Sequence, residues 1–428
     1  MNEGTRLPSW IVIGVSMLGV VLIVATLFLA TARNRVDKQR TAVAAYIVDH
    51  VVAACPADRP VHIEPALDAR FGTQFLSILE TSAPLLADWR VARYALSDEE
   101  QQEVHAIWAA IGRGESGPAD LRSEDSWIVS ATRSLRGQLV QATRSKDGCF
   151  AATIPGIAVE PGPSWQDAAD LLRIHLLEAA TSITGGAWGR GGGHCLAVAA
   201  TTRDLFWTGD GLAWAAAGTI LPELAEICGR LFEQPGETAT ARRLYEELSH
   251  IHQGIPDADR LMSMEISEMA TLLAPLLLTP EEAARLPGGG PADRGPTDAI
   301  LGSLGRADQT PVAVVKGGAR WSEAVEAVRE EVRNGVRGTD LDEFVEPHLD
   351  DPWVRLLWPS TLGPGLDALD QFDAILVLWR TAAFAQMTMT ETGEWPKIDD
   401  FPQLGAKFSV ERAGAQVSYG NQTLTITQ

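Results

Sequence analysis

The chain is poor in the residues on which most protein chemistry depends. It has four cysteines and eight histidines in 428 residues, and 35 lysines and arginines stand against 56 aspartates and glutamates. The resulting net charge of −21 repels a phosphate backbone, so no nucleic-acid partner is expected. The densest basic group, Arg33, Arg35, Lys38 and Arg40, directly follows a long apolar run and is no isolated patch. Cys55, Cys149, Cys195 and Cys228 are scattered, with no Cys-x-x-Cys and no metal-type spacing. His-Glu-x-x-His, Gly-x-Ser-x-Gly and the haem-attachment Cys-x-x-Cys-His are also missing. The thirteen tryptophans are dispersed over helix starts and core-type positions, which suits packing anchors better than a sugar-stacking platform.

What the chain does have is an uncharged stretch near its start. No charged residue occurs from Leu7 to Ala32, "LPSWIVIGVSMLGVVLIVATLFLATA". As a helix it is roughly 39 Å long, against ~30 Å of bilayer hydrocarbon, so a single membrane span is expected. Trp10 marks one interface and the basic group the other. A cleaved signal peptide would have a shorter apolar region and a small-residue cleavage site after it. The side that holds the body is read two ways. Basic residues after the span place it in the cytoplasm, whereas an even number of scattered cysteines suits disulfides in an oxidising compartment.

The remainder reads as a mainly α protein: an N-terminal transmembrane helix, an α-hairpin array, and a small α+β end with a short antiparallel sheet. The tail and span occupy 1–32 and a helical stalk 33–55, with Val43, Ile47, Val51 and Ala54 at helical spacing before Pro56. Residues 56–147 form a helical region. In it "SDEEQQEVHAIWAAIGRG" has Ser97 as N-cap, acids in the first turn and Gly112 as terminator. A Pro/Gly-rich connector covers 148–163. Alanine-rich helices in series over 164–286 suggest paired helices of the tetratricopeptide type, although no unit repeats at a fixed period. A linker follows at 287–298 and a further helical region at 299–365. In the last segment, 366–428, a helix carries Phe372, Ile375, Leu376, Trp379, Ala383 and Met387 on one stripe. "KFSVER", "QVSYG" and "TLTIT" then alternate in period two as strands of a sheet.

"TETGEWPKIDDFPQLGAKFSVERAGAQVSYG" resembles the C-terminal half of pseudopilin-type proteins: a helix, a Gly-x-aromatic-Pro turn, then a short sheet. With the anchor, the Cys-Phe pair of "DGCFAATIPG" and the array, the chain is similar to a group of membrane-anchored, tetratricopeptide-like helical proteins of myxobacteria and planctomycetes. The likeness spans most of the chain and rests on pattern. The pseudopilin leader, with Phe and Glu at the start of the membrane helix, is absent from "RLPSWIVIG". The resemblance implies no activity, but it does imply an extracytoplasmic, periplasmic body.

Three constellations are candidates for chemistry. "TSITGGAWGRGGGHC", Thr181 to Cys195, is rich in glycine, but His194 and Cys195 stand where a phosphate loop needs Lys and Ser or Thr. A dinucleotide fingerprint needs a preceding strand, whereas "LLRIHLLEAATSI" has helical spacing, so a turn between helices is expected. Cys195 with His194, His250 or His252 as base is the alternative function, a membrane-tethered hydrolase or thiol enzyme. The other reading of Cys195 is a core residue or half of a disulfide with a partner such as Cys228. Glu247-x-x-His250 with His252, and Glu265 and Glu268 on the next helix, hold some parts of a carboxylate-bridged metal site. That site needs a second Glu-x-x-His, which is missing, and a solvated helix end, where histidines favour the dipole, is the preferred reading. No catalytic, cofactor or metal residue is therefore assigned, and no cofactor or small-molecule substrate is expected. The expected function is a single-span, non-enzymatic scaffold or adaptor that binds protein partners at a bacterial envelope, as part of a secretion or pilus-like assembly in one version.

Overall fold

The computed structural model describes residues 9–50, 67–142, 145–147, 164–208, 211–233, 238–286, 302–397, 400–401, 405–411, 414–420 and 422–427. Side chains are described from Thr26 onward, except those of 67–74, 76, 145–147, 238 and 411. Cys55, Cys149, the 148–163 connector and the 287–298 linker lie outside the described residues.

Ser9–His50 form one helix, α1, of 42 residues. Among the described residues no helix is long and apolar enough to cross a membrane. Most of the expected span, residues 7–25, lies where no side chains are described. From Thr26 to Arg35 every residue is exposed, with Leu27, Phe28 and Leu29 at 62%, 72% and 67%. The helix then docks. Val43, Ala44 and Ile47 are buried where α1 meets α10 (Ala258–Leu277) and α12 (Pro311–Arg333). Arg40 Nη1 donates to the Leu277 carbonyl at 2.9 Å and to Glu282 at 3.1 Å. Tyr46 donates to Glu326 at 2.9 Å. The expected stalk is therefore corrected in its second half: the Val43/Ile47 spacing is a packing seam on the body.

Four helices precede the array: α2 (Phe71–Tyr94), α3 (Asp98–Arg113), α4 (Ser123–Ala131) and α5 (Arg133–Ala142). The expected Ser97 cap is present as a full capping box with Glu100. The helix runs through Gly112, and Gly114, at φ 76°, is its left-handed cap. A short parallel pair, β1 (Leu67–Arg70) with β2 (Ser145–Asp147), was not expected from the sequence.

The array begins with α6 (Trp165–Thr184), α7 (Trp188–Phe206), α8 (Gly211–Gly229) and α9 (Thr238–Gln253), and α10 is followed by α11 (Pro280–Ala283). The glycine-rich stretch is a turn only at its start. Gly186 (φ 74°) donates to the Ile183 carbonyl, and Ala187 to that of Ser182, which is the Schellman ending of α6. Gly189 and Gly191 to Gly193 are helical, a correction to the expected turn. At Gly191 and Gly192 the reason is closeness: a Cβ on Gly191 would stand 2.6 Å from Ile183 Cγ1, and one on Gly192 3.3 Å from Leu244. At these two positions contact between helices offsets the roughly 1 kcal/mol that a helical glycine costs.

The C-terminal part adds α13 (Gly338–Val345), α14 (Pro352–Leu357) and α15 (Leu362–Thr392). The expected stripe on α15 is buried from Phe372 to Ala383, but Val377, Leu378, Thr381 and Ala382 on its other faces are buried too. It is a central helix, packed on α8 and α9. The sheet is as expected: β3 (Lys407–Glu411), β4 (Gly414–Tyr419) and β5 (Gln422–Thr427) in antiparallel order β3-β4-β5. Phe408 pairs with Val417, and Val417 with Leu424. Ala415, Val417 and Ile426 are its buried residues, and the sheet lies against α15.

Candidate functional site

The α6–α7 hairpin brings together residues far apart in sequence. Folding back at Gly186 sets His175 and His194 side by side, with Nε2 and Nδ1 3.0 Å apart. His175 is wholly buried, and burial, with the positive charge of Arg136, holds its pKa well below the usual histidine range. Burial also lowers that of His194, reinforced by Arg190 and Arg136 and opposed by Glu178. Both rings are therefore neutral at pH 7. Arg190 Nε lies 3.5 Å from His194 Nε2. The tautomers that fit put the His194 proton on Nδ1, donated to His175. His175 Nδ1 is then a buried N–H with no partner among the described residues.

Glu178, one turn along α6 from His175, is the hub. Its Oε2 accepts from Arg136 Nε at 3.0 Å and Nη2 at 2.9 Å, and its Oε1 accepts from Arg190 at 2.5 Å. Burial raises the Glu178 pKa, but Arg136 outweighs it and holds the carboxyl below its usual range. The Arg136 side chain is only 1% exposed. It also donates to the Val129 carbonyl at 2.8 Å and to Thr132 Oγ1. Beside this network opens a cleft of about 350 Å³. Leu121, Val129 and Leu177 supply apolar wall, and Arg133, Glu178 and Arg190 the charge. The carboxylate is already paired twice, so it is unsuited to act as a free base. Among the described residues no hydroxyl or thiol hydrogen-bonds to either imidazole. The arrangement suits binding.

The other candidates are placed apart. Cys195 is bonded to Cys228, joining α7 to α8, and both are buried. Its neighbour His194 turns to His175, and His252 lies on another interface. There His252 Nε2 is 2.8 Å from Asp373 Oδ1 and its Nδ1 meets Arg380, whose Nε donates to Ser249. This chain clamps α9 to α15. Of the proposed metal oxygens, Glu265 is buried and Glu268 exposed, so they do not converge. Among the described residues no group of three or more His, Cys, Asp or Glu is placed to hold a metal.

Sequence reasoning missed Glu178, Arg136 and the histidine pair. One signal was available: His175 falls on the apolar stripe of α6, and a hairpin centred near Gly186 brings it level with His194. A second buried polar group, Asp125 accepting from Trp89 and Trp108 at 2.8 and 2.9 Å with Arg93 over both rings, left no such signal.

No family model matches the chain, and neither a curated protein nor a solved structure matches it.

Proposed function

We propose that the chain is a single-span, membrane-anchored helical scaffold or adaptor whose body binds a protein partner at a bacterial envelope. One observation carries this reading. Leu27, Phe28 and Leu29 stand exposed on the same unbroken helix whose Val43, Ala44 and Ile47 are locked into the body. Exposed apolar residues in sequence with an uncharged run call for a non-aqueous surround. The docked half makes the anchor continuous with the body and not a loose tether. The Cys195–Cys228 bond favours the extracytoplasmic side over the cytoplasm. The small sheet on α15 supports the pilus-like version, in which the C-terminal end is a contact surface.

The partner is tested by cross-linking the chain in intact membranes, solubilising in mild detergent and recovering it. A stoichiometric companion is expected with the full chain, whereas recovery of the chain alone at every cross-linker dose contradicts the adaptor reading. Removing residues 405–428 then asks whether the sheet takes part. Cutting at 366 would remove α15 and with it the core under α8 and α9.

A further inference from the structure

We propose that the cleft beside the α6–α7 turn binds a carboxylate carried on a small apolar body. Its volume, about 350 Å³, is that of a small-ligand pocket, which occupies roughly 300–1,000 Å³. Leu121, Val129 and Leu177 give it a wall that favours hydrocarbon over a bare inorganic anion. The charge favours an acid. Arg133 and Arg190 line it with one carboxylate, Glu178, which Arg136 and Arg190 already pair, in a chain whose net charge is −21.

The three arginines are not equivalent. Arg136 is buried and saturated by Glu178, Val129 and Thr132. Arg133 is exposed at the cleft and makes no ion pair among the described residues. Arg190, 63% exposed, gives Nη2 to Glu178 and Nε to His194, which leaves Nη1 unengaged among the described residues. An incoming carboxylate can therefore take Arg133 and Nη1 of Arg190 without displacing Glu178. The carbonyls at the end of α6 do not oppose it: those of Thr181, Ser182 and Ile183 accept from Gly185, Ala187 and Gly186. Such a group has two sources, a free small acid or the C-terminal residue of a polypeptide.

The test uses the full chain in phosphatidylcholine nanodiscs, with binding read by calorimetry. The probes are hexanoate, hexan-1-ol and N-acetyl-Gly-Gly-Leu with a free carboxyl. Saturable binding of either acid is expected, with hexan-1-ol weaker. Arg133→Gln should weaken the acid roughly tenfold, the loss of one charged hydrogen bond, while Arg133→Lys recovers part of it. Arg190→Gln, also at an exposed site, should give a similar loss. Tighter binding of the peptide than of hexanoate assigns the site to a chain end, and the reverse assigns it to a free acid. Absence of saturable binding by both acids, or equal affinity in the Arg133→Gln and unaltered proteins, overturns the proposal.

Discussion

Two regions break the usual rule of apolar inside and polar outside, and they do so in opposite directions. At Leu27–Leu29 large apolar side chains stand in the open. At the α6–α7 hairpin Arg136, His175 and Glu178 are taken into the interior. The second departure is answered within the chain at Arg136, which has Glu178, and at His194, which has His175, while His175 Nδ1 has no partner among the described residues. The first has no answer among the described residues, since every residue from Thr26 to Arg35 is exposed. Burying one such leucine or phenylalanine is worth roughly 1.5–3 kcal/mol. A polar group that the fold satisfies is structure; an apolar surface that it leaves uncovered points to something beyond the chain.

The contrast can be broken most forcefully at Glu178. Glu178→Ala leaves Arg136 buried without its counter-charge and should lower unfolding stability by about 3–5 kcal/mol in a denaturant titration. A loss below about 1 kcal/mol would mean that the buried network is not held together as described. Next in size is the Cys195–Cys228 bond. Replacing both residues with alanine should lower stability by about 2–4 kcal/mol, through the 33-residue separation that the bond closes.

The histidine pair gives a pH dependence with a definite sign. Both rings are held below the ordinary value near 6.5, so the unfolded chain takes up protons first as the pH falls. Their contribution is fully present above about pH 6.5 and is lost below it, by at most about 1.4 kcal/mol per pH unit for each ring. His175→Gln should flatten the slope between pH 6.5 and 5, measured by thermal unfolding. An unchanged slope would place the protonation elsewhere. The smallest effect on stability belongs to the exposed end of α1. Leu27→Asp with Phe28→Asp should alter the body's stability by no more than about 0.5 kcal/mol, while weakening retention in membranes.

Much of the fold was legible because it is local. Ser97 and the period-two pattern of "KFSVER", "QVSYG" and "TLTIT" act within a few residues of themselves, and each marks an element that forms. Gly191 and Gly192 misled because their reason is tertiary: Ile183 and Leu244 press on them from other helices. α15 was legible as a helix but not as the centre of the molecule, since the burial of its other faces depends on α8 and α9. The site was the least legible. Arg136 and Glu178 are 42 residues apart, and no spacing rule joins them. His252 stood out in the sequence for its Glu-x-x-His neighbourhood, yet it is engaged by Asp373 and Arg380 on α15.

The claim on which the account rests is that α1 holds the body to a membrane, and alkaline extraction tests it most directly. Membranes bearing the intact chain are washed at high pH, then treated with detergent. The account predicts that the chain stays with the lipid through the wash and is released only by detergent. Recovery of the intact, folded chain in the alkaline or aqueous fraction would contradict it.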